Sequence, residues 1–221
     1  MALELTIAPE LAGRLRLGVL LLDGVTVREK EPALDAEISG FCATLRTRYA
    51  GVKSGDVPGA SDARTLYKAV GIDPTRTRPS NEALLRRVLK GESLYQVNSL
   101  VDALNLCSLR FQLPFGLYDF DQVRPPVLLR LGTPGESYEG IRKGPVNVEG
   151  RLALVDAEGA FGNPSSDSAR TMVTAATRRA LVTAYAPAGY SPARLAEVLD
   201  GTEQTLTRFC GGTRTERLTL P

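Results

Sequence analysis

The 221-residue chain is 43% hydrophobic and 24% charged, with 27 basic and 25 acidic residues giving a net charge of +2; this is the balance of an ordinary folded protein and gives no global signal for nucleic acid. It contains no histidine, which excludes histidine-dependent triads, histidine-ligated metals and histidine acid–base chemistry. Its three cysteines, Cys42, Cys107 and Cys210, are far apart and form no Cys-x-x-Cys pair, so a disulfide framework, a zinc site and any other metal are not expected, and a reducing compartment is.

The N-terminal stretch carries acids and Pro9 where a secretory signal needs an unbroken apolar run. The longest apolar run, residues 18–22, is far too short to cross a bilayer. A cytoplasmic protein without membrane contact is the expectation. Residues 3–7 alternate apolar and polar as a half-buried strand does. Residues 15–22 continue in β character, Asp23-Gly24 is a turn signal, and Val25-Thr26-Val27 resumes the β pattern, which predicts an N-terminal β-hairpin. Pro32 opens a helix whose Leu34, Ile38, Phe41, Leu45 and Tyr49 share one face, with Gly51 as its stop. A second helix runs from about Ser61 to Gly71, with Leu66, Ala69 and Val70 inward.

Residues 74–79 hold two prolines and cannot be helical throughout. Ser80 then reads as an N-cap, Glu82 pairs with Arg86 at i,i+4, and Leu84, Leu85, Val88 and Leu89 form the apolar face of a helix ending at Gly91. Asn98 caps the next helix. Its apolar positions Val97, Val101, Leu104 and Phe111 lie together, and Asn98, Asp102 and Asn105, with Ser108 nearby, form a polar stripe that ends before Pro114. Beyond Val123 the period changes. Residues 127–131, 152–155 and 180–185 are short β runs separated by turns, and residues 159–168 read as a loop. Ser191-Pro192 opens a C-terminal helix over 191–212, with Gly201 a candidate break, followed by a tail. An N-terminal hairpin and helix within residues 1–60, more helices, strands, then a helix make an α+β fold, read as a single domain over 1–221.

Two groups of residues could carry function. The basic run Arg64, Lys68, Arg76, Arg78, Arg86, Arg87 and Lys90 suits contact with an RNA phosphate backbone as well as it suits a solvated helix face. The Asn98–Asp102–Asn105 stripe suits a polar pocket or the satisfaction of neighbouring loops. Thr171, Thr174 and Thr177 recur every three residues, but with no histidine and no nearby lysine a hydroxyl nucleophile lacks a base.

Ordered pieces between residues 66 and 185 resemble a known family. They are Leu66-Tyr67-Lys68-Ala69-Val70-Gly71-Ile72-Asp73-Pro74, Arg78-Pro79-Ser80, Glu82-Ala83-Leu84-Leu85-Arg86-Arg87, Val101-Asp102-Ala103-Leu104-Asn105, Leu113-Pro114, Tyr118-Asp119-Phe120-Asp121, Leu129-Arg130, Gly135-Glu136 and Val173-Thr174-Ala175-Ala176-Thr177. In this order they look like the B3/B4 domain of the phenylalanyl-tRNA synthetase β subunit, and like free-standing proteins built from that domain. The resemblance implies a β-barrel-like core decorated by helices. It implies a pocket that meets an aminoacyl-tRNA end or an amino acid, without a cofactor. Hydrolysis of mischarged aminoacyl-tRNA is the enzymatic form of that expectation, and a non-enzymatic amino-acid or metabolite pocket is the alternative. Asp102, Asn105, Asp119 and Thr174 match the family's pattern. The positions of the family's editing histidine and glutamate are here Gly116 and Met172. The expected ligand residues are therefore Asn98, Asp102, Asn105, Gly116, Asp119 and Thr174, and the expected RNA contacts are Arg76, Arg78, Arg86, Arg87 and Lys90.

Overall fold

The computed structural model describes residues 3–221. Its strands are β1 (Leu5–Ile7), β2 (Leu15–Asp23), β3 (Phe115–Asp119), β4 (Val127–Leu131), β5 (Ser137–Glu139), β6 (Pro145–Asn147), β7 (Leu152–Asp156), β8 (Gly159–Asn163), β9 (Ser166–Asp167), β10 (Arg179–Pro187) and β11 (Thr213–Leu220). Its α-helices are α1 (Pro32–Arg48), α2 (Ala60–Ala69), α3 (Ser80–Leu89), α4 (Ser99–Phe111) and α5 (Pro192–Cys210). The class is α+β, as expected, but the strands do not close into a barrel. They form a four-stranded sheet in the order β11-β2-β10-β3, a five-stranded sheet in the order β1-β4-β7-β8-β9, and the small pair β5-β6.

The four-stranded sheet is covered on both faces. Leu20, Leu22, Leu117, Ala180 and Val182 look toward α4 and α5, where Leu104, Leu195, Leu199 and Leu206 meet them. Leu17, Val19, Leu21, Tyr118, Leu181 and Tyr185 look toward the other sheet and α2, meeting Leu129, Leu154, Phe161 and Leu66. Burial of both faces is why β2 reads as an apolar run and not as a clean alternation. Gly18 brings α5 onto β2, since a Cβ there would lie 2.9 Å from Leu199 Cδ2. A third apolar cluster joins Cys42 and Leu45 of α1 to Leu85 and Val88 of α3 and Leu109 of α4.

The N-terminal hairpin does not form. Both edges of β2 are already occupied, by β10 and by β11, and β1 pairs in parallel with the distant β4. Residues 25–28 leave the sheet. Val25 N donates to Arg178 O and Thr26 N to Cys210 O. The expected C-terminal tail is instead β11, an edge strand on β2. α5 passes through Gly201 unbroken. The missing side chain is filled by Phe111, whose ring tip lies 2.5 Å from where a Cβ would stand.

Glu82 also departs from the local expectation. It is buried, and it does not pair with Arg86. It accepts from Arg64 Nε at 2.7 Å and Nη2 at 2.8 Å, and Arg78 stands 3.5 Å away. This ion cluster ties α2 to the start of α3. Ser80 is not the helix cap: its Oγ donates to Pro164 O at 2.9 Å and ties the same helix start to the β8–β9 turn. Glu82→Ala should therefore lower stability by about 2 kcal/mol, the scale of hydrogen bonds to a charged group. Thermal denaturation would show this as a melting temperature about 4–8 °C lower. An unchanged melting temperature would mean that the cluster holds nothing together.

Candidate functional site

A cavity of about 510 Å³ opens between α3, α4, β3 and the segments around residues 141–142, 164–167 and 172–174. Leu84 on α3, Val101 and Leu104 on α4, Phe115 and Leu117 on β3, Ile141, Met172 and Val173 make its wall largely apolar. Asn98, Asn105 and Ser108 on α4, Ser80 on α3, Ser165, Ser166 and Asp167 at β9, Arg142 and Thr174 supply polar groups. A chamber of this size and mixed lining matches a small-molecule site.

α4 presents these residues because of its period. Asn98, Val101, Asn105 and Ser108 recur at three, four and three residues, so they fall within one face. Asn98 is the cap: its Oδ1 accepts from Val101 N at 3.0 Å. Ser108 Oγ is engaged with Leu113 O at 2.8 Å. Asp102, one residue past Val101, is rotated by about 100°. It leaves the cavity and lies with Asp35, Ile38, Cys42 and the 92–96 segment in a separate hollow. There Asp102 accepts from Val97 N at 3.1 and 3.3 Å, so it reaches the cavity only through the backbone that leads to Asn98. Burial pushes its pKa up to about 6; the Val97 amide offsets part of this and Asp35 adds to it.

Asp119 also stands outside the cavity. Its Oδ2 accepts from Thr177 Oγ1 at 2.7 Å and its Oδ1 from Asp121 N at 3.1 Å. Thr177 Oγ1 in turn accepts from Thr174 N at 3.0 Å. Asp119 thus fixes the turn that places exposed Thr174 on the cavity wall. Gly116 faces the other side of β3, since alternate strand residues point to opposite faces. A Cβ at Gly116 would fall on the Tyr118 hydroxyl and 2.7 Å from Thr183 Oγ1. Gly162 makes the opposing half of the slot, with a Cβ there 2.6 Å from Tyr118 Cζ. The Tyr118 ring fills the space between the two glycines and meets Phe161 edge to face, with centroids 5.0 Å apart. The structure therefore brings Asn98, Asn105 and Thr174 to the cavity and leaves Asp102, Gly116 and Asp119 behind its walls. Met172 lines it.

Residue-level reading of the sequence missed Asp167, Arg142 and, on β3, Phe115 and Leu117. Asp167 sits in a segment read as a turn, and nothing in a Ser-Ser-Asp-Ser run signals burial. Its Oδ1 is inaccessible and has no hydrogen-bond partner, nor have Tyr118 Oη, Thr183 Oγ1 and Tyr185 Oη. Burial pushes the Asp167 carboxyl up to about 7, against the lowering effect of the nearby Tyr118 hydroxyl, Lys143 and the Leu117 amide.

The B3/4 domain model matches residues 62–219. The chain belongs to the B3/4 domain family. A crystal structure of an N-terminal fragment of the phenylalanyl-tRNA synthetase β subunit from Pyrococcus horikoshii superposes on this B3/4 protein with a TM-score of 0.52 and 14% identity. The superposition covers 100% of the present chain and 55% of that one, so the chain spans about half of its relative's length. At this identity the likeness is one of fold. A comparison with curated proteins finds no match.

The expected RNA contacts Arg76, Arg78, Arg86, Arg87 and Lys90 lie outside the cavity, and three of them are partnered. Arg78 belongs to the Glu82 cluster. Arg76 stands 3.7 Å from Asp73 and is 89% exposed. Arg87 pairs with Glu92 at 2.8 Å and stacks on the Tyr95 ring at 4.0 Å. Arg86 and Lys90, with Lys53, line an open hollow beside Tyr49 and Leu89. Among the described residues no helix is long and apolar enough to cross a membrane.

Two outcomes follow from this geometry. Gly116→Ala should destabilise the protein by about 1–3 kcal/mol through overpacking, and Tyr118→Phe in the same chain should recover part of that loss in a denaturant titration; full stability of the single variant would show that the slot has room. For Asp102 the raised folded pKa means that the native state holds a proton between about pH 4 and 6 that the unfolded chain releases, so ionisation opposes folding above that window. Asp102→Asn should raise the melting temperature at pH 7.5 and leave it unchanged at pH 4. A gain that is equal at both pH values would remove the electrostatic explanation.

Proposed function

We propose that this B3/4 protein binds the aminoacyl end of a tRNA, or an amino acid, in the cavity between α4 and β3. The supporting observation is the 510 Å³ chamber itself, apolar over most of its wall and carrying Asn98, Asn105 and Thr174. An aminoacyl group has the same division, an apolar side chain beside an amine and a carbonyl that need hydrogen bonds. The fold shared with a phenylalanyl-tRNA synthetase β-subunit fragment supports the same chemical neighbourhood. This reading takes residues 1–221 as one domain, in the cytoplasm.

Hydrolysis of mischarged aminoacyl-tRNA is the enzymatic form of the proposal. Asn98 and Asn105 would orient the ester, and its attack would fall to a water held in a desolvated site. The second form is a non-enzymatic pocket for a free amino acid. What favours it is the internal pairing of Arg64, Arg76, Arg78 and Arg87, which leaves Lys53, Arg86 and Lys90 as the clearest cluster for a phosphate backbone.

A thermal-shift screen of free amino acids, run beside a deacylation panel of mischarged tRNAs, tests the proposal. Ligand at a hundredfold excess over its Kd stabilises by about 2.7 kcal/mol, which raises the melting temperature by about 5 °C or more. Val101→Phe should weaken the effect by narrowing the chamber. No shift and no hydrolysis with any member of either panel would remove the function. For RNA, Lys53→Glu, Arg86→Glu and Lys90→Glu together should weaken binding alike for all sequences and flatten its salt dependence. Unaltered binding would assign the cluster to solvation alone.

A further inference from the structure

Asp167 is the one acidic side chain on the cavity wall; it is half-buried, its Oδ1 is inaccessible, the Tyr118 hydroxyl and the Leu117 amide lie near its carboxyl, and it forms no ion pair among the described residues. It lies on β9 opposite Gly162, so its side chain and the Tyr118 ring above Gly162 share a face. The groups facing it are Tyr118 of β3, Tyr138 of β5, Tyr185 of β10 and Lys143 in the β5–β6 turn. Lys143 acts on Asp167 through space and not as an ion pair: its Nζ donates to Ser166 Oγ at 2.7 Å. Tyr138 is committed as well, donating to Ser166 O and accepting from Asn163 Nδ2.

A half-buried carboxylate that forms no ion pair is stabilised by a cation delivered to it. The cavity, which Ser165, Ser166 and Arg142 also line, offers an approach to it. We propose that Asp167 binds the protonated α-amine of the ligand, which places the ligand's apolar side chain against Val101, Leu104 and Met172. The inference rests on the pocket reading above and adds to it the group that orients the ligand. A free amino acid would then leave its carboxylate toward the exposed Arg142 on the rim, which has no ion-pair partner among the described residues; an aminoacyl ester would leave its carbonyl there.

Three probes separate these possibilities by isothermal titration calorimetry on the intact chain: L-phenylalanine, its methyl ester, and 3-phenylpropionate, which lacks the amine. Phenylpropionate should bind at least about tenfold more weakly than phenylalanine, the scale of one charge-assisted hydrogen bond. Asp167→Asn should weaken phenylalanine and its ester by a similar factor and leave phenylpropionate unchanged. Preference for the free acid over the ester, lost in Arg142→Ala, identifies a free amino acid; equal or tighter binding of the ester identifies an esterified one. Either result supports the amine assignment.

Affinity in the native chain should also rise from pH 6 to pH 7.5 as Asp167 ionises. Tyr118, Tyr138 and Tyr185, whose burial raises their pKa values further above neutrality, stay neutral in that range. Asp167→Asn should flatten the rise. Phenylpropionate binding as tightly as phenylalanine to the native chain would overturn the assignment whether or not the variant folds. Unaltered phenylalanine binding by a folded Asp167→Asn would overturn it too. Binding of all three probes with no dependence on the amine leaves the pocket reading standing and removes this one, whereas binding of none removes both.

Discussion

Strand β3 has to serve two interiors at once. Phe115 and Leu117 point to the helical side and help wall the cavity, while Gly116 and Tyr118 point into the layer between the sheets. The strand is the edge of the four-stranded sheet, beyond β10, and has no second strand to fix its position. Besides its ladder with β10 and the Asp119 N–Thr171 O bond, it is held by the Tyr118 ring seated between two glycines, where a single added carbon would collide with it. That same ring carries its hydroxyl to Asp167. Tyr118 thus packs the inter-sheet core and stands beside the carboxyl on the cavity wall.

The helical wall depends on capping and on long-range ties. Asn98 starts α4 at the register that turns Val101, Asn105 and Ser108 to the cavity. Ser99 exchanges hydrogen bonds with Arg28, which holds the beginning of α4 to the segment leaving β2. Ser80 ties α3 to Pro164, and Tyr67 of α2 shares a 2.6 Å hydrogen bond with Ser165. The β8–β9 turn that presents Asp167 is therefore held from the helices as well as from its own hairpin. A site supported in this way keeps its shape before a ligand arrives, which lowers the ordering cost of binding.

What could be read from the sequence follows the range of the interactions involved. The boundaries of α3, α4 and α5 are local matters of proline, glycine, Asn98 and Ser191, and they were legible. So was the α+β class. Asn98 and Asn105 could be picked out as a helix face, but a stripe that included Asp102 was one residue too wide, because spacing alone does not say where the cavity edge lies. The hairpin after Asp23 looked sound locally and lost to β10 and β11, whose residues lie about 160 or more positions away in the chain. The Glu82 cluster and the burial of Asp167 depend in the same way on partners distant in sequence. A barrel was implied by family likeness, whereas the strands make two facing sheets.

The account stands on the chamber between α4 and β3 being the place where an amino-acid moiety binds. The most direct measurement is a crystal structure of the protein grown with saturating L-phenylalanine. The account predicts density for the ligand within that chamber, its amine within hydrogen-bonding distance of Asp167 and its ring against Val101 and Met172. A chamber closed by its own side chains, or ligand bound elsewhere on the molecule, would contradict it.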